Sequence, residues 1–423
     1  MATTSNTTME TVYSKLFNPI TSLLKGCKNI RNCPSLPDRE WIETGVARVL
    51  SNESSGRSFL QRRFDAGLGL ITRSHFFESL KSARRLRLCQ EINEALRDQR
   101  KRYHQRLDPF KAYRALDTYD IYAGDGHYHG AAAHDRKKQG KKYPVQHFYS
   151  INLRSKSLSH LTLADTSGQR KKEHDIHALK RLTTSKLRQG AKKGRKVLYV
   201  WDKAGIDFRQ WFKWKYSAGI YFISREKSNM RLETMGYSPF ENTAVNKGVN
   251  SFEIAGTSQG VSINRIRYTC PLSGKCFSFI TNLNDIPPGL IAYLYKKRWD
   301  IEKTFDDIKN KLGEKKAWAT SITAKTTQAQ FICIAYNLTQ NLENQIKNRT
   351  VENKTEDARR EKRLQKSLPK DGRVRRWFPD YLKKPQKATQ RPLKFIRWLR
   401  NNLFTDTPWN HAVNRLKTIY AVF

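Results

Sequence analysis

Acidic residues are in short supply in this chain: 38 Asp and Glu stand against 80 Lys and Arg, for a formal net charge of +42. Such a chain repels itself and attracts polyanions, so nucleic acid is the leading partner and an anionic membrane surface the second. No apolar run reaches the roughly 18 residues that a membrane-spanning helix needs. The opening stretch, MATTSNTTMETVYSKLF, lacks the basic-then-apolar order of a secretory signal, and a cytoplasmic location is expected. Cysteine is sparse and scattered, at Cys27, Cys33, Cys89, Cys270, Cys276 and Cys333. None forms a C-x2-C pair and no histidine stands at zinc-finger spacing, which argues against a finger-type zinc. The pattern suits a reducing compartment better than a disulfide scaffold. Internal repeats are absent. Hydrophobic residues make up only 38% of the chain, yet 9 Trp, 18 Tyr and 20 Phe can build the cores of two or three domains.

Residues 1–112 read as a helical DNA-binding region. Apolar spacing near 3.6 runs through 38–50, 56–70 and 76–105. The last of these is dense in Lys81, Arg84, Arg85, Arg87, Arg97, Arg100, Lys101 and Arg102. A basic helical face suits duplex DNA; a merely solvated basic helix shows the same pattern. From Leu116 the period changes to two. Tyr119, Ile121, Ala123 and Asp125 share one face of a strand expected to end in Gly124-Asp125-Gly126, where glycine lets backbone or ligand approach the carboxylate. Strands over 144–153 and 158–165 follow, then a helix over 173–188. The short apolar run from Lys196 to Trp201 reads as a buried central strand with Asp202 at its carboxyl end, where open α/β sheets present ligands. A helix over 208–216 and a strand over 219–224 come next. Residues 225–285 are rich in Asn, Ser, Thr and Gly and read as an inserted β-strand subdomain. A helix is expected from Pro287-Pro288 to Gly313 and another over 326–346. The basic region 347–423 is broken by prolines and is expected to serve DNA contact or dimerisation. From Val351 onward it holds 19 basic and 7 acidic residues.

The helix ending near Gly313 carries the most informative pattern. At about 100° per residue, Tyr295, Arg298, Glu302 and Lys309 fall within about 60° of one another. Leu294, Ile301, Phe305, Ile308 and Leu312 form an apolar stripe beside them, while Lys296, Asp300, Lys303 and Asp307 lie opposite. Geometry alone is equally compatible with an ordinary amphipathic helix. The order of elements adds to it: three strands, a helix, a strand bearing an acid, a helix, a fifth strand, then a helix bearing an acid. In an α/β fold with a ribonuclease-H-like core, this order sets the first and fourth strands side by side, so that Asp125 and Asp202 meet and Glu302 packs across. Three carboxylates in a small volume repel one another unless a hard cation holds them. Mg²⁺ prefers oxygen ligands and keeps waters that substrate phosphates can replace.

The spacing Tyr-x2-Arg-x3-Glu-x6-Lys, met by Tyr295, Arg298, Glu302 and Lys309, resembles the signature of bacterial insertion-sequence transposases of the DDE class, in the family numbered four. That family carries a β-strand insertion between its second Asp and its Glu; here 100 residues separate Asp202 from Glu302. The resemblance spans about Leu116 to Ile346, within an expected catalytic domain of 113–346. It implies that Asp125, Asp202 and Glu302 are catalytic and bind Mg²⁺, with Mn²⁺ as a substitute. It implies DNA-handling roles for Tyr295, Arg298 and Lys309. It further implies cut-and-paste chemistry: cleavage at terminal inverted repeats, then attack of the 3′-hydroxyl on target DNA, by a homodimer on DNA in the nucleoid. Some members free their ends through a hairpin, with an aromatic of the insertion, often Trp, holding a flipped base. Phe277 is the best match here, and the change to Phe leaves that route open; a core Phe on a strand fits equally.

Other acids have plainer readings. Asp306 lies about 40° from Glu302 on an ideal helix and is the alternative ligand. Asp117 and Asp120 lack the glycine setting of Asp125. Asp207 reads as the N-cap of the following helix. His127 and His129 flank Asp125 without a third spaced ligand, so DNA contact or packing is expected of them. The runs 136–142 and 170–172 suit the DNA backbone. Two other functions share these features: a repurposed, non-catalytic DNA-binding protein, and a different Mg²⁺-dependent nuclease of ribonuclease-H-like fold.

Overall fold

A computed structural model describes residues 10–104, 108–137, 140–164, 173, 175–306, 316–349 and 391–418. Among them, nine strands form one mixed sheet: β1 (Tyr119–His129), β2 (Val145–Asn152), β3 (Leu158–Leu163), β4 (Lys196–Val200), β5 (Ile220–Arg225), β6 (Leu232–Tyr237), β7 (Val249–Thr257), β8 (Ser262–Thr269) and β9 (Cys276–Thr281). Their order across the sheet is β3-β2-β1-β4-β5-β9-β8-β7-β6. β1 and β4 are adjacent and parallel, as are β4 and β5, while β2 and β3 run antiparallel on the far side. The 225–285 stretch is thus not a detached subdomain. β9 pairs with β5 through Ile223↔Thr281, Ser224↔Ile280 and Arg225↔Phe279, which carries the central sheet on into the insertion.

Alternation along β1 decides what lies on each side. Tyr119, Ile121 and Ala123 join Leu198 and Val200 of β4 in one buried cluster, which holds the long helices. Tyr122 joins Tyr199 and Trp201 in a second cluster under the aromatic helix Phe208–Ala218. Asp207 caps that helix, its carboxylate accepting from Gln210 N at 2.9 Å. β1 does not stop at Gly126. It pairs with β2 as far as His129↔Val145, although its pairing with β4 ends at Ala123↔Val200. Asp125 therefore sits within β1, two residues beyond the last β4 partner. The flanking glycines serve packing rather than ligand approach. A Cβ on Gly124 would lie 1.6 Å from Cζ3 of Trp201, and one on Gly126 would lie 2.6 Å from Nε2 of Gln146.

The amino-terminal helices, α1 (Val12–Leu24), α2 (Asp38–Leu50), α3 (Gly56–Asp65), α4 (Arg73–Ser79) and α5 (Ala83–His104), pack into the same cluster as β1 and the long helix Ile322–Arg349. Several of the basic residues of α5 face inward. Arg84 and Arg85 both pair with buried Asp38, at 2.6 and 3.1 Å. Arg97 donates to Ser159 Oγ at 3.3 Å and Arg100 to the Ser155 carbonyl at 2.8 Å. They are structural cations, which removes them from a solvated basic face. Two carboxyl-terminal helices, Arg391–Asn402 and Trp409–Thr418, return to α1, with Trp398 and Trp409 buried and Arg400 donating to the Leu50 carbonyl at 2.6 Å.

Candidate active site

The segment expected as one helix is two among the described residues: Pro288–Lys297, with proline in its first turn, and Trp299–Asp306. Arg298 stands at the junction. Its N–H bonds back to the Tyr295 carbonyl at 3.1 Å and its own carbonyl accepts from Ile301 N at 3.0 Å, so the chain tightens by one residue per bond there. Leu294, Ile301 and Phe305 are buried, as an apolar stripe requires. Asp300, expected on a solvated face, instead pairs with Lys156 at 2.6 Å, which helps hold its carboxyl below its ordinary pKa against the upward push of burial. Lys309, Ile308 and Leu312 lie outside the described residues, as does the side chain of Asp306.

Arg298 joins two of the expected acids. Nη1 donates to Oδ2 of Asp125 at 2.9 Å and Nη2 to Oε1 of Glu302 at 2.5 Å. The first contact spans 173 residues of sequence, and Arg298 is only 7% exposed. Asp202 follows β4, with Oδ1 accepting from Ala204 N at 2.7 Å and its carbonyl from Ser224 Oγ at 3.0 Å. The β1–β4 register, with Ala123 opposite Val200, sets Asp202 beside Asp125. The electrostatics agree. Burial is the main cause that lifts the Asp125 carboxyl to about 7; the charges of Asp202 and Glu302 add to it, while Arg298 and the Gly126 N–H oppose it. Burial works against the charge of Arg298, but Asp125, Tyr295 and Glu302 outweigh it and its pKa is raised.

Asp125, Asp202 and Glu302 offer oxygen donors only, the kind a hard cation prefers. The Arg298 guanidinium supplies positive charge to Asp125 and Glu302. Among the described residues, no three His, Cys, Asp or Glu side chains converge tightly enough to enclose a metal ion as they stand. The set fits a divalent ion in kind, and Arg298 stands between two of its members.

Around the acids lies an aromatic and cationic rim. Tyr295 is half-buried, with Arg298 Cζ 5.6 Å from its ring and Phe279 5.2 Å away. Phe277 on β9 is likewise half-buried and stacks with Phe279 at 6.0 Å. Sequence reasoning missed Arg225. It ends β5, and the register Val200↔Ile223 places it level with Asp202. Its guanidinium lies 5.1 Å from the Phe277 ring, and its buried Nε has no hydrogen-bond partner among the described residues. The signal was available in principle, since an acid after β4 implies a rim position two residues beyond the core of β5. Asp117 and Asp120 sit at the other end of β1, where Asp120 pairs with Arg195 at 3.5 Å.

His127 packs into this wall instead of facing outward, its ring stacked 4.8 Å from Phe305. His129, His147 and His160 are buried, with His147 Nδ1 3.1 Å from His160 Nε2. Burial, reinforced by neighbouring positive charge, depresses all three, His160 to about 3. Unfolded histidine takes a proton near 6.5, so below that pH the unfolded chain binds more protons than the folded one. The stability these neutral rings allow is complete above pH 6.5 and is lost as pH falls, by up to about 1.4 kcal/mol per pH unit per ring. Asp125 acts oppositely: its raised folded-state pKa relieves a stability cost as pH falls from 7 towards 4. Urea unfolding between pH 7.5 and 5 should therefore show a falling midpoint, and Asp125→Asn should steepen the fall. A midpoint flat in pH would contradict this reading.

A family model described as "Transposase DDE domain" matches residues 126–338, half of the chain. The similarity to curated proteins is much shorter. Over 93 residues the chain is 31% identical to acetate kinase 2 of two strains of Vibrio vulnificus and of Vibrio parahaemolyticus, covering 22% of this chain and 22% of each of those proteins. The chain thus spans about a fifth of the length of those curated relatives, too little to carry their activity to it.

Proposed function

The chain belongs to the DDE transposase family, whose model covers residues 126–338, and from that premise we propose that it is an insertion-sequence transposase of family four acting by cut-and-paste. A transposase domain implies DNA as substrate, and the net charge of +42 suits a polyanion. The observation that carries the reading is the junction of Asp125 and Glu302 through one buried guanidinium, that of Arg298, 173 residues beyond Asp125, with Asp202 alongside. The strand order β3-β2-β1-β4-β5 supports a ribonuclease-H-like core, with the insertion as its lateral extension.

In this reading Asp125, Asp202 and Glu302 hold Mg²⁺, or Mn²⁺ in its place. Bound there, the ion supplies Lewis-acid activation of the attacking oxygen and stabilises the leaving one. The chain's own residues do the rest. β1 and β4 fix the two aspartates in register, and the buried stripe of Ile301 and Phe305 fixes Glu302 against them. Arg298 and Lys309 bind DNA phosphates, for which a planar fork and a flexible ammonium are suited. Tyr295 contacts the strand near the cut, and Phe277, with Arg225 over its ring, offers a stacking platform for a displaced base. Water attacks phosphorus at the element end, and the 3′-oxygen leaves and takes up a proton; the resulting 3′-hydroxyl then loses that proton as it attacks a target phosphodiester, whose P–O3′ bond breaks and whose 3′-oxygen leaves as a hydroxyl. The regions 1–112 and 347–423 supply further DNA contacts and the dimer that holds two ends together, in the bacterial cytoplasm at the nucleoid.

The test is incubation of the full chain with duplex DNA carrying the inverted repeats that flank its gene, a target plasmid, and Mg²⁺ or EDTA. Cleavage at the repeat ends and joining to the plasmid, both abolished by EDTA, is the expected result. Cutting without joining would favour another ribonuclease-H-like nuclease, and binding without cutting a repurposed DNA-binding protein.

A further inference from the structure

Arg298 is placed differently from an ordinary phosphate-binding arginine. It is 7% exposed, it sits at the one-residue break between the helices Pro288–Lys297 and Trp299–Asp306, and two arms of its fork are occupied by carboxylates. The third, Nε–H, is buried and has no hydrogen-bond partner among the described residues. A buried donor left unmade is penalised, so this pose leaves the arginine with one hydrogen bond still to make. A divalent ion bound by Asp125 and Glu302 would need the oxygens that Arg298 now holds. The two positive groups exclude each other from those oxygens.

We propose that Arg298 is an exchangeable counter-cation: it holds Asp125 and Glu302 together in metal-free protein, and yields them to a divalent ion when a DNA phosphate takes its guanidinium. The inference rests on the reading of the three acids as a metal site. It makes Arg298 a positioning residue that acts through Asp125 and Glu302. Two consequences follow. Without DNA, the arginine competes with metal, so the site is weak. With DNA, a phosphate draws the fork away, satisfies its idle Nε–H, and frees the carboxylates. DNA and metal then strengthen each other's binding reciprocally, and the cutting centre is completed only where DNA lies across it.

The experiment measures Mn²⁺ binding to the full chain by electron paramagnetic resonance and calorimetry, with and without a short duplex, in wild type, Arg298→Ala and Arg298→Met. An opposite charge this close shifts a carboxylate's proton affinity by about 1–3 pK units, and a comparable gain is expected for Mn²⁺. Without DNA, both variants should bind Mn²⁺ about tenfold or more tightly than wild type. Duplex should tighten Mn²⁺ binding in wild type and leave the variants nearly unmoved. A merely structural arginine predicts the reverse, because its loss would loosen the acids. Variants that bind Mn²⁺ equally to or more weakly than wild type overturn the proposal. Should both fail to fold, Arg298→Lys carries the test: a point charge cannot bridge both acids, so its Mn²⁺ affinity should exceed wild type, and an unchanged affinity overturns the exchange. If wild type binds no Mn²⁺ in either condition, or if Asp202→Asn binds it as well as wild type does, the metal-site reading falls too. Tight binding that is lost in Asp202→Asn but indifferent to Arg298 sinks the exchange alone.

Discussion

Replacing Asp125 or Asp202 by Asn, or Glu302 by Gln, is expected to lower metal-dependent cleavage of element-end DNA by at least about a thousandfold, while DNA affinity stays within about threefold. Each amide keeps the shape and loses the charge that a cation needs. The three effects should not add, because the acids act on one centre: a double variant should be no worse than the poorer single one. DNA affinity is carried by dispersed Lys and Arg, so removing one carboxylate from a chain of net charge +42 hardly alters it. Cleavage rates and filter-binding constants measured side by side check this. An acid whose amide cuts at the wild-type rate does not belong to the centre. Asp125→Asn also takes a buried ionic partner from Arg298, but it removes a carboxylate whose charge burial disfavours, so its two effects on stability oppose each other.

Gly124→Ala is expected to destabilise the fold by about 3 kcal/mol or more, at the top of the range for overpacking a core. The added methyl would meet Cζ3 of Trp201 at 1.6 Å and Cε3 at 2.1 Å. Trp201 has no room to retreat, being fully buried with Gly205 beneath the other edge of its ring, where a Cβ would stand 2.0 Å from Cδ1. Relief must come from shifting β1 against β4, which moves Asp125 relative to Asp202. Activity should therefore fall further than stability alone explains. Gly236→Ala, on β6 with nothing within 4 Å of the added carbon, is the control and should cost under about 1 kcal/mol. In a double-mutant cycle, Trp201→Leu should recover part of the loss. Additivity of the two would show that the indole is not what Gly124 accommodates.

Much of this architecture is legible in local pattern. Period two over Tyr119, Ile121, Ala123 and Asp125 puts the carboxylate on the face of the long helices, and the short apolar run before Asp202 is a central strand flanked by β1 and β5. Features set by distant partners are not legible. Nothing local stops β1 at Gly126 or extends it; the pairing of His129 with Val145 of β2 does so. Arg298 keeps helical backbone angles, φ −55° and ψ −32°, and no proline or glycine marks the break beside it. The ion pair to Asp125 accompanies that break, and only the fold brings Asp125 there. Arg84 and Arg85 look like part of a DNA-facing surface until Asp38, on another helix, is seen to claim them. The insertion's composition signals strands, but its union with the central sheet depends on three residue pairs between β5 and β9.

The most direct test of the central claim is a crystal structure of the full chain bound to its element-end DNA and Mn²⁺, recorded at a wavelength where manganese scatters anomalously. The expected result is an anomalous peak bound by carboxylate oxygens of Asp125, Asp202 and Glu302, beside the scissile phosphate, with the Arg298 guanidinium moved onto DNA. A peak held by other residues, or none beside the phosphate while Arg298 still bridges Asp125 and Glu302, would contradict it.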